Sequence, residues 1–170
     1  MRNVLRQDAR ALALAGLLAS GTSCASATTT ASGVLTVQAS VVATCTVASG
    51  TLAFGVINPA VGTTSLPSTN LSVTCTLGTP FSVGLGDGAN ASGGQRRMKG
   101  ATQLQYLSYD LFRDAMGTQR FGDSVTSQRL ASQTGLGVTA NALPVYGAVS
   151  SGQSAAADTY SDTVPITVYY

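Results

Sequence analysis

The feature that most constrains this chain is a period of two, repeated in short runs that turn residues cut off. In GVLTVQASVVATC, residues 33–45, Leu35, Val37, Ala39 and Val41 fall on one side and Thr36, Gln38 and Ser40 on the other. That is the pattern of a half-buried β-strand, yet no turn signal joins it to a partner. NLSVTCTL (70–77) alternates with Leu71, Val73 and Cys75 on one face, and FSVGLG (81–86) with Phe81, Val83 and Leu85. Gly78-Thr79-Pro80 between them predicts a hairpin. TLAFGVI (51–57) reads as a strand ended by Asn58-Pro59. LQYLSYDLFRD (104–114) carries large residues on both faces, which predicts a strand covered on both sides or bent by a bulge. In LPVYGAV (143–149), Pro144 favours an edge or a strand start. TVPITVYY closes the chain with Val164, Ile166, Val168 and Tyr170 on one face. Residues 115–142 read as loops with one short strand. Roughly six or seven short strands at this spacing, and no helical period after the first turns of the chain, predict an all-β sandwich.

The beginning of the chain reads differently. Arg2, Arg6 and Arg10 against Asp8 make a basic opening, ALALAGLLA (11–19) is an apolar run, and Ala25-Ser26-Ala27 offers a small-x-small cleavage site. Residues 1–27 are expected to be a secretory signal peptide, too short to span a membrane. A lipid on Cys24 is disfavoured because the preceding Gly21-Thr22-Ser23 lacks the leucine-like residue of a lipobox. Beyond Ala27 the basic residues are Arg96, Arg97, Lys99, Arg113, Arg120 and Arg129, and the acidic ones are Asp87, Asp110, Asp114, Asp123, Asp158 and Asp162. The two sets balance, so the formal charge of +2 belongs to the leader and does not argue for nucleic acid. Removing the leader takes Cys24 and leaves Cys45 and Cys75, an even pair in an exported chain, which reads as a disulfide. Closing a loop of about 30 residues stabilises a fold by roughly 3–4 kcal/mol on the chain-entropy model.

Little in the sequence supports catalysis. The chain has no histidine, the commonest general base and zinc ligand. Asp110 and Asp114, four residues apart on a strand, are separated by about 13 Å of strand rise, too far for an acid–base pair on a sugar. No glycine-rich loop opens a helix to hold phosphate. No catalytic residue, metal ligand or cofactor is therefore expected. Asp158-Thr159-Tyr160-Ser161-Asp162, just before the last strand, suits a tyrosine corner, in which the Tyr160 hydroxyl ties an arch to the sandwich.

Taken in order, Cys45-Thr46-Val47, LAFG (52–55), SVTCTLGTPFSVGLGDG (72–88), RRM (96–98), LQYLSYDLFRD, FGD (121–123), LPVYGAV and TYSDTVPITVYY (159–170) resemble the spore coat protein U domain. That family includes the pilin subunits of archaic, Csu-type chaperone–usher pili. The resemblance covers nearly all of residues 34–170, with Phe121 where the family often has Trp and Asp158 where it often has Gly. It implies an incomplete immunoglobulin-like β-sandwich of Greek-key type that lacks its final strand, here residues 44–170. It also implies a structural subunit that is exported through the periplasm to the cell surface. The implied partners are a periplasmic chaperone, an outer-membrane usher and neighbouring pilin subunits. On this reading residues 28–43 are a donor strand, whose Leu35, Val37, Ala39 and Val41 fill the open groove of another subunit. Val164, Ile166, Val168 and Tyr170 then border the groove and face the chaperone. Two other classes stand beside it: a secreted coat protein that does not polymerise, and a tip adhesin that binds a surface ligand.

Overall fold

The computed structural model describes residues 28–48, 50–63 and 66–170; the signal peptide expected over residues 1–27, with Cys24, lies outside them. In chain order the strands are β1 (Cys45–Ala48), β2 (Ser68–Cys75), β3 (Pro80–Leu85), β4 (Arg96–Gly100), β5 (Tyr106–Phe112), β6 (Leu130–Thr134), β7 (Asn141–Val149), β8 (Tyr160–Ser161) and β9 (Ile166–Tyr169). They form two sheets, a six-stranded one ordered β1-β2-β7-β5-β4-β8 and a three-stranded one ordered β6-β3-β9. Every pairing is antiparallel. The architecture is an immunoglobulin-like two-sheet sandwich. Alternate residues of facing strands fill its core: Leu71, Val73 and Cys75 from β2, Phe81, Val83 and Leu85 from β3, Leu107, Tyr109 and Leu111 from β5, and Leu143, Val145 and Val149 from β7.

Three expectations are corrected by the pairing. The connection after NLSVTCTL is an arch between sheets and not a hairpin, because β2 pairs with β1 and β7 whereas β3 pairs with β6 and β9. Gly78 turns the chain at φ +78°, a conformation that suits glycine, and both apolar faces meet in one core. Alternation alone is the same for both arrangements. LPVYGAV is not at a sheet edge: β7 lies between β2 and β5. Pro144 is tolerated because it pairs only with Asn70 of β2, and the register with β5 begins at Tyr146. β7 thus has an unflanked side where the N–H is missing. TLAFGVI forms no strand at all, although Leu52, Phe54 and Ile57 pack on the core. LQYLSYDLFRD contributes β5, with Leu107, Tyr109 and Leu111 inward and Ser108 and Asp110 half-buried on the other side.

Arg96, at the start of β4, is wholly buried. Its Nε donates to the Gly86 carbonyl at 2.9 Å, and its Nη2 to the carbonyls of Leu85 (2.8 Å), Gly86 (2.7 Å) and Phe121 (2.8 Å). Its Nη1 pairs with Asp110 Oδ1 at 2.7 Å. Burial pulls the guanidinium pKa down, and Asp110 opposes that shift. Arg120 closes the other side of the cluster, with Nε at 2.9 Å from Asp110 Oδ2 and Nη2 at 3.2 Å from Asp87. One cation therefore joins the end of β3 to β4, β5 and the loop at Phe121. Asp110→Asn leaves this guanidinium buried without its counter-ion and is expected to cost roughly 3 kcal/mol. The check is the urea midpoint, which should fall at an unchanged m-value. Arg96→Met should cost no less, since three carbonyls lose their donor.

Candidate functional site

The side of the sandwich between the two sheets is open. A groove of about 1060 Å³ runs there, lined by Leu52, Phe54, Leu107, Tyr109, Val164 and Ile166 among others. One wall is the extended segment 50–57. Its side chains alternate as far as Phe54, with Leu52, Phe54 and Ile57 half-buried, yet among the described residues its backbone makes no ladder. What holds it is packing. The Phe54 ring meets Tyr109 edge-on with centroids 5.8 Å apart. Gly147 of β7 provides the seat, because a Cβ there would come within 2.4 Å of Leu52 and 2.8 Å of Phe54. The other wall is the chain end, β9 and the residues before it. β9 pairs with β3 and is the edge of its sheet. An apolar trough flanked by unpaired backbone is the shape an additional strand would fill.

The C-terminal residues do not all face this trough. Val164, Ile166 and Val168 are half-buried against the core, and the first two line the groove. Tyr170 does not point into the core as its alternation suggests: it is 64% exposed. The last register pair of β9 is Tyr169 with Ser82, so Tyr170 lies beyond the strand, past the end of the core. Tyr169 instead turns outward, its hydroxyl donating to Asp123 and its ring under Arg129 at 4.0 Å.

Leu35, Val37, Ala39 and Val41 lie in a segment without strand pairing, and all four are exposed; Leu35, Val37 and Val41 each keep more than 80% of their surface, at 85%, 81% and 83%. Cys45 and Cys75 are joined by a disulfide, with Cα atoms 4.1 Å apart, directly opposite each other in the β1–β2 register. The hydroxyl of Tyr160 donates to the Ala156 carbonyl at 2.9 Å, the backward tie of a tyrosine corner. Asp158 occupies the arch: one carboxylate oxygen accepts from Thr102 N and Gln103 N, each at 2.8 Å. Those two backbone donors hold its pKa below the usual carboxylate range. Nearby, Asp162 accepts from Asn90 and from the Tyr109 hydroxyl at 2.7 Å, and burial pushes the Tyr109 pKa upward.

Several structural residues give no local sign of their role. Arg96 and Asp110 are separated by fourteen residues and look like any surface charges. Gln153 binds both the N–H and the carbonyl of Ser108, at 2.6 and 2.9 Å. It continues the pairing where the β5–β7 register ends at Val149, sharing the Ser108 carbonyl with Ser150 N, which donates to it at 3.2 Å. Among the described residues, no group of three or more acidic or cysteine side chains is placed to hold a metal.

Comparison with known proteins places this geometry. The family described as Spore Coat Protein U domain matches residues 31–167. Protein U of Myxococcus xanthus is 33% identical over 187 residues, covering 99% of each chain. Among solved structures, the fold is similar to a chain of the CsuC–CsuE chaperone–tip adhesion subunit pre-assembly complex from archaic chaperone–usher Csu pili of Acinetobacter baumannii. The TM-score is 0.55 and the identity 24% over 76% of this chain, which spans 40% of that one.

Two outcomes follow from the walls and the arch. Gly147→Val should displace Leu52 and Phe54 and destabilise the domain by roughly 1–3 kcal/mol, with loss of the near-ultraviolet dichroism of Tyr109. For Asp158, the folded-state pKa is depressed, so its stabilising contribution is complete above the unfolded pKa and disappears as pH falls through the folded value. Carboxyl titration by NMR should place Asp158 below a free aspartate, and Asp158→Asn should flatten the acid limb of the stability profile.

Proposed function

Because the chain belongs to the spore coat protein U domain family, we propose that it is an exported structural subunit of the archaic chaperone–usher pilus type, polymerising by donor-strand complementation. One observation carries this reading. The chain combines an unfilled apolar groove with an exposed, alternating apolar segment that its own sheets leave unpaired. Leu35, Val37, Ala39 and Val41 of one copy fill the groove of the next, and the backbone of 33–42 pairs with the free edges. Burying each Leu or Val side chain contributes about 1.5–3 kcal/mol, less for Ala39, and the ladder bonds add to it. Until a neighbour arrives, a periplasmic chaperone covers Val164, Ile166 and Val168, and an outer-membrane usher delivers the subunit to the fibre. The disulfide suits the oxidising compartment this route requires. The fibre supports surface attachment or biofilm formation, and the chain has a structural and not an enzymatic role.

The second reading is a secreted coat protein that does not polymerise. It is favoured by the likeness to Protein U over 99% of both chains. A tip adhesin fits less well, because a subunit at the end of a fibre has no further subunit to donate to, and the donor-like segment 33–42 would be idle there. The test is Val37→Asp, which puts a charge into the receiving groove. The variant should fold and co-purify with its chaperone but add nothing beyond itself to a fibre. Normal fibres from it would reject the donor assignment. Failure to fold even with the chaperone would assign the segment to its own domain. A wild-type protein that stays monomeric when released from the chaperone would favour the coat reading.

A further inference from the structure

Each end of the sandwich carries an apolar feature. At one end, where β2 finishes and β3 begins, two turns lean together. Gly78 N donates to the Gly135 carbonyl at 2.9 Å, Gly135 N to Thr79 at 2.8 Å, and Gly137 N to Cys75 at 3.1 Å. A Cβ on Gly137 would lie 3.5 Å from the Leu77 Cβ. This paired turn presents Leu77 at 75%, Leu136 at 49% and Val138 at 103% exposure, and the disulfide at Cys75 anchors its base. It is a rigid apolar knob. At the opposite end, where β2 starts and β7 finishes, a bowl of about 380 Å³ is lined by Phe54, Val56, Ile57, Val61 and Pro67 among others. Val56 is fully exposed there and Val61 56% exposed. Phe54, Val56 and Ile57 line the long groove as well, so the bowl is the mouth of the groove at this end.

We propose that in a fibre the knob of each copy seats in the bowl of the copy that receives its donor strand. This rests on the donor reading. Chain direction and chain length then force the contact. Every strand pair in the fold is antiparallel, and β9 runs from Ile166 at the bowl end, opposite Leu85, to Tyr169 at the knob end, opposite Ser82. A donor strand antiparallel to β9 enters with Leu35 toward the knob end of its host and Val41 toward the bowl. Val42 follows immediately, and in the donor its carbonyl accepts from the Thr76 hydroxyl at 3.2 Å, while Thr44 N donates to that hydroxyl's Oγ1 at 3.1 Å. Successive Cα atoms are only about 3.8 Å apart. There is no slack, so the bowl of the host must abut Thr76 and its neighbour Leu77. The two patches differ on one molecule, so the contact is head-to-tail and propagates without closing. Each is too small to hold free subunits together, but the inserted strand keeps them at high effective concentration.

The experiment uses the exported full chain carrying Val138→Cys with Val61→Cys, two exposed positions that leave the Cys45–Cys75 bridge intact. Fibres are oxidised gently, then boiled without reductant so that only covalent links between copies survive. A ladder of cross-linked chains is expected, at least about tenfold stronger than with Val138→Cys and Ala131→Cys, a pair with one member on the exposed side of β6. The ladder should vanish when Val37→Asp is added. Fibres that form from the unmodified chain but give no excess cross-link at 138 and 61 would overturn the knob-and-bowl contact alone. An unmodified chain that forms no fibres would overturn the donor reading and this contact with it.

Discussion

A buried guanidinium organises this fold. Arg96 is fully enclosed and its donors are met by Asp110 and by carbonyls from two other parts of the chain. A buried charge tolerates few arrangements, because each unmet donor or acceptor costs a full desolvation penalty. The end of β3, the start of β4, the middle of β5 and the loop at Phe121 are thereby held in one relation. That matters in a sandwich whose second sheet has three strands only. Hydrophobic packing sets how well the sheets adhere; the guanidinium sets how they are aligned at that end.

The opposite condition prevails along the groove. Leu52, Phe54 and Ile57 bury their side chains against the core, while among the described residues the backbone that carries them has no partner strand. The segment is an incomplete element: apolar contacts are in place and hydrogen bonds are still owed. A sheet in this state attracts any extended chain of suitable pattern. On the reading proposed above, this imbalance is what a chaperone or a neighbouring copy relieves.

Much of this was legible from residue order. Alternation located most of the strands, the even pair Cys45 and Cys75 read as a bridge, and Tyr160 read as a corner. What alternation does not carry is which strand lies beside which. NLSVTCTL and FSVGLG fit a hairpin and an arch equally, and the choice is made by distant partners, β7 on one side and β9 on the other. TLAFGVI has the pattern of a strand without the partner that would make it one. Pro144 is misleading for a related reason, since an edge can be local to one residue of an otherwise central strand. The Arg96 cluster is invisible in sequence because its members come from four separate stretches and have meaning only when buried together. Tyr170 follows the apolar period but stands past the last paired residue, where the core has ended.

The position of the disulfide has a mechanical consequence. Cys45 is the first residue of β1, immediately after the segment proposed to enter a neighbouring copy, and β1 is a short strand at the margin of its sheet. Tension drawn along residues 33–44 would otherwise detach β1 one hydrogen bond at a time. The covalent link at its first residue passes the pull directly to Cys75 on β2, a longer strand paired on both sides. Force therefore bypasses the margin and is borne by the middle of the sheet, so extension of a fibre would loosen the contacts between domains before it unravelled any one of them.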